Sequence, residues 1–323
     1  MAWRILPAEK FFEHRDKWDA LNREAANSPV LNSAFVTHSL ASFGSGQERL
    51  AIYEQGDDVV AMAIIHRKKF GVWDTLQPSQ SPVGMWITKD PAGTEELLRK
   101  LAGKLPGIVL QIGITQQDPV IHPRPLDGKR IRTLDYIQTA DIPTDTTYDV
   151  YWSARGKNLR HNLKRQRNRL EKEGVKTSLL EITAPSDVHQ AIAGYGELEN
   201  AGWKSSQGTA VHIDNDQGRF YSGLLSDFCH REDGKIYQYY YDAKLVASDI
   251  CIKQGGTFVI LKTTYDETIN TSSPAFLMRQ EIFQKLFADN SITNIEFYGK
   301  VMEWHTKWSN SIRMLYHLNY RIF

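Results

Sequence analysis

Between residues 235 and 265 three β-prone runs follow one another, joined by turns too short to hold a helix. Residues 235–241 supply Ile236, Tyr237, Tyr239, Tyr240 and Tyr241, Asp242-Ala243-Lys244 turns the chain, and residues 245–252 return. Gln254-Gly255-Gly256 then turns it again into Thr257–Tyr265. A parallel connection needs a crossover of a dozen residues or more, so these three strands form an antiparallel meander. Downstream, Ser272 or Ser273 can cap a helix, Pro274 suits its first position, and Phe276, Leu277, Ile282, Phe283 and Leu286 give it an apolar stripe. The helix is expected over 275–288, stopped by Asp289-Asn290, with a further strand over 292–298. Its entrance presents unpaired N–H groups and a positive dipole end, where a phosphate can bind without any lysine.

The first half repeats this outline. Residues 50–53, the Gly56-Asp57-Asp58 turn, 59–65 and 72–76 make another meander, followed by Gln80-Ser81-Pro82-Val83-Gly84, a helix over 94–103 and a strand over 108–114. The polar stretch 139–148, with Pro143 inside it, is the expected boundary, giving two α/β (α+β) lobes, 1–145 and 146–323. At 323 residues, 41% hydrophobic and 24% charged, the chain is globular and long enough for two domains. A formal net charge of +1 excludes a whole-protein nucleic-acid or membrane surface, so any polyanion contact must be local. No 18-residue apolar run occurs, and Glu9, Lys10 and Glu13 interrupt the N-terminal segment before a secretory core could form, so a cytoplasmic protein is expected. Cys229 and Cys251 lack metal-ligand spacing and read as buried thiols.

The strongest local charge feature is Arg155, Lys157, Arg160, Lys164, Arg165, Arg167 and Arg169, with no acidic residue until Glu171 and Gly174 as the C-cap. Leu159, Leu163 and Leu170 give this helix a narrow packing stripe, leaving Arg160, Lys164 and Arg167 as candidates for a phosphorylated donor or anionic acceptor, or simply a solvated face. Charges inside strands are the other signal. A hairpin closed over Lys253 to Gly256 sets Asp249 opposite Ile260 and Lys262 diagonally from Asp249 on the same face. Such a pair either fixes register as a satisfied ion pair or lines an acceptor cleft, with Asp249 taking a proton from an attacking amine or hydroxyl. Asp266 and Glu267 at a strand end and His305 beside Trp304 are further candidates. The chain has no P-loop, metal-ligand cluster or nucleophile elbow, so a covalent serine or cysteine mechanism is not supported.

Three antiparallel strands, a helix with a phosphate-ready entrance and a further strand follow the order of the GNAT superfamily of N-acetyltransferases. Within it, Ile260-Leu261-Lys262-Thr263-Thr264-Tyr265-Asp266-Glu267 with Ser273-Pro274-Ala275-Phe276-Leu277 resembles the C-terminal signature of CelD-type acyltransferases, relatives of the FemAB aminoacyl transferases. Ile295-Glu296-Phe297-Tyr298-Gly299, Glu303-Trp304-His305-Thr306-Lys307-Trp308, the basic helix from Leu159 to Gly174, and Ala201-Gly202-Trp203-Lys204 through Gly208-Thr209 are similar to further segments of that family. Ala275 stands where the family usually has glycine, and Trp304-His305 where it tends to have tyrosine-lysine. The resemblance implies two GNAT-like lobes, each a mixed, mainly antiparallel sheet flanked by helices, with the donor site in the second. It implies acyl-CoA or acetyl-CoA as co-substrate, no metal, and N- or O-acyl transfer to a small-molecule, peptide or polysaccharide acceptor. Tyr265, Ser272, Ser273, Ala275, Phe276 and Leu277 would hold the donor, and Asp249, Lys262, Glu296, His305 and Asp266 are the catalytic candidates. Aminoacyl-tRNA is the alternative donor, and a non-catalytic binding protein on a degenerate fold is the alternative class.

Overall fold

A computed structural model of the protein describes residues 2–201 and 211–323. The chain divides into two compact units, one of Met1–Thr139, Gly299–Val301 and Ile312–Phe323, the other of Ala140–Tyr298 and Met302–Ser311. The Trp203 loop singled out in the sequence lies outside the described residues.

The first unit contains β1 (Ala2–Pro7), α1 (Arg15–Ala25), α2 (Ser33–Phe43), β2 (Arg49–Gln55), β3 (Asp58–Lys69), β4 (Val72–Thr75), β5 (Trp86–Thr88), α3 (Thr94–Ala102), β6 (Gln111–Gln117) and the start of β7 (Ile131–Pro143). The second contains α4 (Tyr148–Ser153), α5 (Lys157–Lys172), β8 (Thr177–Ile182), α6 (Pro185–Asn200), α7 (Asp216–His230), β9 (Gly234–Tyr241), β10 (Lys244–Gln254), β11 (Thr257–Tyr265), α8 (Pro274–Ala288), β12 (Asn294–Glu296) and α9 (Glu303–Trp308). The last strand, β13 (Ser311–Arg321), returns the chain to the first unit.

In the first unit the strands run β1-β2-β3-β4-β6-β13, antiparallel except for the β4–β6 pair. Trp3, Tyr53, Trp73, Trp86, Leu98, Tyr316 and Tyr320 share its core. In the second unit the order is β8-β9-β10-β11-β12 and then the end of β7, with β11–β12 the parallel pair. Parallel pairing there covers only Thr257–Val259 against Asn294–Glu296, because β12 is only three residues long. β11 therefore runs on to Tyr265 past the end of β12, and a loop over 266–273 leads into α8. Val246 to Ile252 of β10 is buried throughout, because α6 lies on one face of the sheet and α8 on the other. A strand covered on both faces reads as a continuous apolar run.

Three expectations are corrected. The boundary placed at 145/146 falls at 139/140, inside β7, whose Asp141, Ile142 and Pro143 pair with β12. Pro143 ends this strand rather than marking a linker. Ile312–Phe323, assigned to the second lobe, belongs to the first unit because β13 pairs with β6. Finally, the β10–β11 hairpin closes on Gln254 and Thr257 around a two-residue Gly255-Gly256 turn, both at positive φ (57° and 83°). Cys251 pairs with Ile260 but Ile250 with Lys262, so Leu261 is the extra residue of a bulge. Asp249 then faces Thr263, and Lys262 points to the opposite side of the sheet.

The turn is intolerant of a side chain. A Cβ on Gly256 would lie 2.6 Å from Thr293 Oγ1, and its carbonyl accepts the Thr293 and Asn294 N–H groups that start β12. Gly256→Val is expected to lower stability by about 2 kcal/mol or more, read as a lower urea midpoint with an unchanged m-value.

Candidate functional site

The join between β11 and α8 is built from backbone already engaged. Asp266 accepts the Thr268 N–H (2.9 Å) and hydroxyl (2.6 Å), pairs with Lys244 (2.6 Å), and donates its own N–H to Val246. Burial works upward on its pKa, but these partners hold it below the ordinary value, so Asp266 anchors a turn. Ser272 shares a hydrogen bond with the Tyr241 hydroxyl at 2.8 Å. Ser273 occupies the N-cap position without a side-chain cap; its N–H donates to Gln166 Oε1 (2.8 Å), and its carbonyl accepts the N–H groups of Phe276 (2.9 Å) and Leu277 (3.1 Å). The expected row of free amides from Ser273 to Leu277 is thus largely closed, with Ala275 buried and helical and Tyr265 exposed on the strand end.

Around this helix start lies a cavity of about 620 Å³. Arg155, just before α5, and Asn158 and Asn162 within it line the cavity, together with Ser273 and Phe276 at the N-cap and first turn of α8, and Lys307 and Asn310 from α9 and its exit. Arg155 is fixed by donating to the Trp308 carbonyl (2.8 Å) and by lying over the Tyr151 ring (4.8 Å). Lys307 is half exposed and paired only loosely, at 3.2 Å, with the exposed Glu303. The wall therefore supplies two cations and several amides, all able to donate to phosphate oxygens.

The three polyanion candidates on α5 separate. Lys164 is exposed, whereas Arg160 donates to the Arg155 carbonyl at 3.1 Å. Arg167 joins α5 to α8 through Glu281 (2.8 Å) and the Leu277 carbonyl (3.1 Å). It holds a helix pair together because α5 packs with that side against α8, leaving Lys157, Lys164 and Arg165 exposed, with Arg169 and Lys172 exposed further along.

The expected Asp249–Lys262 pair does not form, because the bulge at Leu261 turns them apart. Lys262 points toward α6 and α7, where Glu199 (3.2 Å) and Gln217 (3.3 Å) accept its ammonium protons and the rings of Tyr195 and Tyr221 lie 5.9 and 5.8 Å away. Asp249 faces α8. It is fully buried, and Arg279 Nη2 stands 3.6 Å from its Oδ1 while donating to Thr263 Oγ1 at 2.9 Å. Burial raises the Asp249 pKa, with the Arg279 charge opposing. Sealed in this way, the Asp249 carboxyl is closed to solvent. Arg279 also lies over the Trp304 ring (4.6 Å), and His305 stacks on that ring at 3.5 Å. His305 Nδ1 accepts the Met302 N–H at 2.9 Å, and burial, reinforced by Arg279, pushes its pKa down to about 4, so the ring is neutral near pH 7. Glu296 is buried on β12 and accepts from Asn294 at 2.8 Å.

Sequence reasoning missed Glu199 and Arg279. A signal existed for each: Arg279 interrupts the apolar run of α8, and Glu199 lies one helical turn beyond Tyr195 on α6.

A three-stranded meander, a helix and a strand parallel to the third make up a GNAT-like fold. Residues 157–306 match the family model described as an acetyltransferase (GNAT) domain. Solved structures share the fold over almost the whole chain. FemX superposes with a TM-score of 0.63 at 8% identity, covering 95% of this chain and 96% of that one. The C-terminal domain of a putative lysylphosphatidylglycerol synthetase from Agrobacterium fabrum gives 0.59 at 11%, covering 96% and 92%. L-PGS from Bacillus licheniformis gives 0.53 at 15%, covering 95% and 91%. No curated protein matches the sequence.

Two outcomes follow from the buried charges. Arg279→Met strands the Asp249 carboxyl and is expected to cost about 3–5 kcal/mol in chemical denaturation, most of it recovered in the Arg279→Met/Asp249→Leu double variant. His305 has a folded pKa of about 4 against an ordinary 6.5, so between those values the unfolded chain binds a proton that the folded protein does not. Its contribution is complete above pH 6.5 and is lost as pH falls toward 4, on the order of 3 kcal/mol. His305→Gln should flatten the stability–pH curve in that window.

Proposed function

We propose that the second unit binds acyl-CoA and passes its acyl group to an amine or hydroxyl acceptor. The observation that supports this reading is the cavity at the first turn of α8, immediately after β11, with Arg155 and Lys307 beside the amides of Asn158, Asn162 and Asn310. Those side chains take over the phosphate-binding work that the engaged backbone amides of α8 do not offer. The acceptor attacks the thioester carbonyl directly, forming the new C–N or C–O bond as the C–S bond breaks, and its proton leaves with the thiol or to solvent. No enzyme nucleophile is required, and the protein's contribution is alignment and charge placement. Lys262, partly exposed and held by Glu199, positions the acceptor side.

Calorimetric titration with acetyl-CoA tests the donor. The wild type is expected to bind, and Lys307→Glu to bind at least tenfold more weakly with an unchanged melting temperature, since Lys307 is half exposed. Equal affinities, or no binding by the wild type, would overturn the assignment. Once an acceptor is in hand, Lys262→Met should lower turnover by roughly tenfold or more with little change in acetyl-CoA affinity.

A second reading, an aminoacyl-tRNA donor, is favoured by the exposed Lys157, Lys164 and Arg165 on α5. If it holds, replacing all three by glutamine reduces the log–log salt slope of tRNA binding by about 2–3. Binding of tRNA together with indifference to acetyl-CoA would select this reading over the first.

A further inference from the structure

The first unit has a cleft of its own, outside the segment matched by the GNAT family model. It has a volume of about 310 Å³ and opens on one face of the sheet where β4, β6 and β13 run side by side. In the strand register Asp74 lies beside Gly113, and Gly113 beside Asn319. Gly113 makes a hollow in the floor: a Cβ there would stand 2.3 Å from Asp74 Oδ1 and 3.6 Å from Asn319 Oδ1. We propose that this cleft binds a neutral, polyhydroxylated ligand, a saccharide.

The hydrogen-bonding groups decide the ligand class. Lys68 pairs with Asp74 Oδ2 at 2.7 Å, and among the described residues Oδ1 has no donor, which leaves it as an acceptor on the floor. Gln111 Nε2 donates to Asn319 Oδ1 at 2.8 Å, leaving the Gln111 carbonyl as an acceptor and the Asn319 amide as a donor. His317 Nδ1 accepts the Gln116 N–H at 3.0 Å, which makes Nε2–H the outward donor of the neutral ring, and burial favours that neutral form. The cleft thus alternates fixed donors and acceptors. A hydroxyl group satisfies both kinds at once, so a row of hydroxyls matches the set. A phosphate, anionic and mainly an acceptor, meets the Asp74 carboxylate; an ammonium, which only donates, meets Lys68 and Lys69. Tyr136, exposed and 4.6 Å from the His317 ring, and the exposed Leu134 offer apolar surface to the C–H face of a sugar ring.

The test is a glycan array of neutral and anionic glycans probed with the whole protein, followed by titration of the strongest neutral oligosaccharide. Saturable binding is expected, weakened tenfold or more by Gln111→Ala and by Asn319→Ala, both at part-exposed positions, and by Asp74→Asn. Melting temperatures within a few degrees of wild type identify variants that remain folded. Lys10→Ala, outside the cleft, should leave affinity unchanged. Binding to no neutral glycan, binding confined to anionic glycans or inorganic phosphate, or full affinity in the folded Gln111→Ala and Asn319→Ala variants would each overturn the proposal. Acetyl-CoA titration of the same variants reads the second unit separately, so failure here leaves the acyl-transfer reading standing.

Discussion

The register of the β10–β11 hairpin governs the chemistry of the second unit. Gly255 and Gly256 take positive φ in a two-residue turn, and the bulge at Leu261 shifts the strands by one more residue. That shift separates Asp249 from Lys262 and sends each charge to a different layer, Asp249 to Arg279 on α8 and Lys262 to Glu199 on α6. Side-chain direction alternates along a strand, so removing the bulge would place both charges on one face and leave Arg279 and Glu199 without their present partners.

Much of the fold was legible because it is encoded locally. The limits of β11 and α8 follow from glycine turns, a proline at the first helical position and apolar periodicity, and the structure reproduces them to within a residue. What was not legible depends on long-range pairing. β7 spans the stretch that looked like a linker, since nothing local reveals that Asp141 and Ile142 pair with residues 295 and 296. β13 joins the first unit through β6, some two hundred residues earlier in the chain. The site was read in the same uneven way. The start of α8, read from the sequence as a donor region, borders a cavity, but the groups that line it are mainly side chains around α5 and α9, which only tertiary packing brings there, and its backbone amides are largely engaged.

The buried ionic groups show different degrees of satisfaction. Glu199 receives Lys262 and the Val211 N–H at 2.7 Å, a charge with several donors around it. The Asp249–Arg279 contact is longer, and the guanidinium is shared among Thr263, the Trp304 ring and the carboxyl. Burial is the main cause of the depressed pKa of His305, and this shared, partly satisfied cation adds to it.

The chain passes between its two units at 139/140, 298/299, 301/302 and 311/312. The outermost element of the first unit's parallel pair, β6, therefore waits for β13, which is synthesised after every strand and helix of the second unit. A ribosome delivering this chain cannot finish the first unit before the second has emerged. Until then the β6 edge is exposed, and folding of the amino-terminal half is tied to translation of the last dozen residues. Dissecting the protein into two sequential fragments would accordingly give an amino-terminal piece with an open sheet edge, prone to self-association, rather than an independent domain.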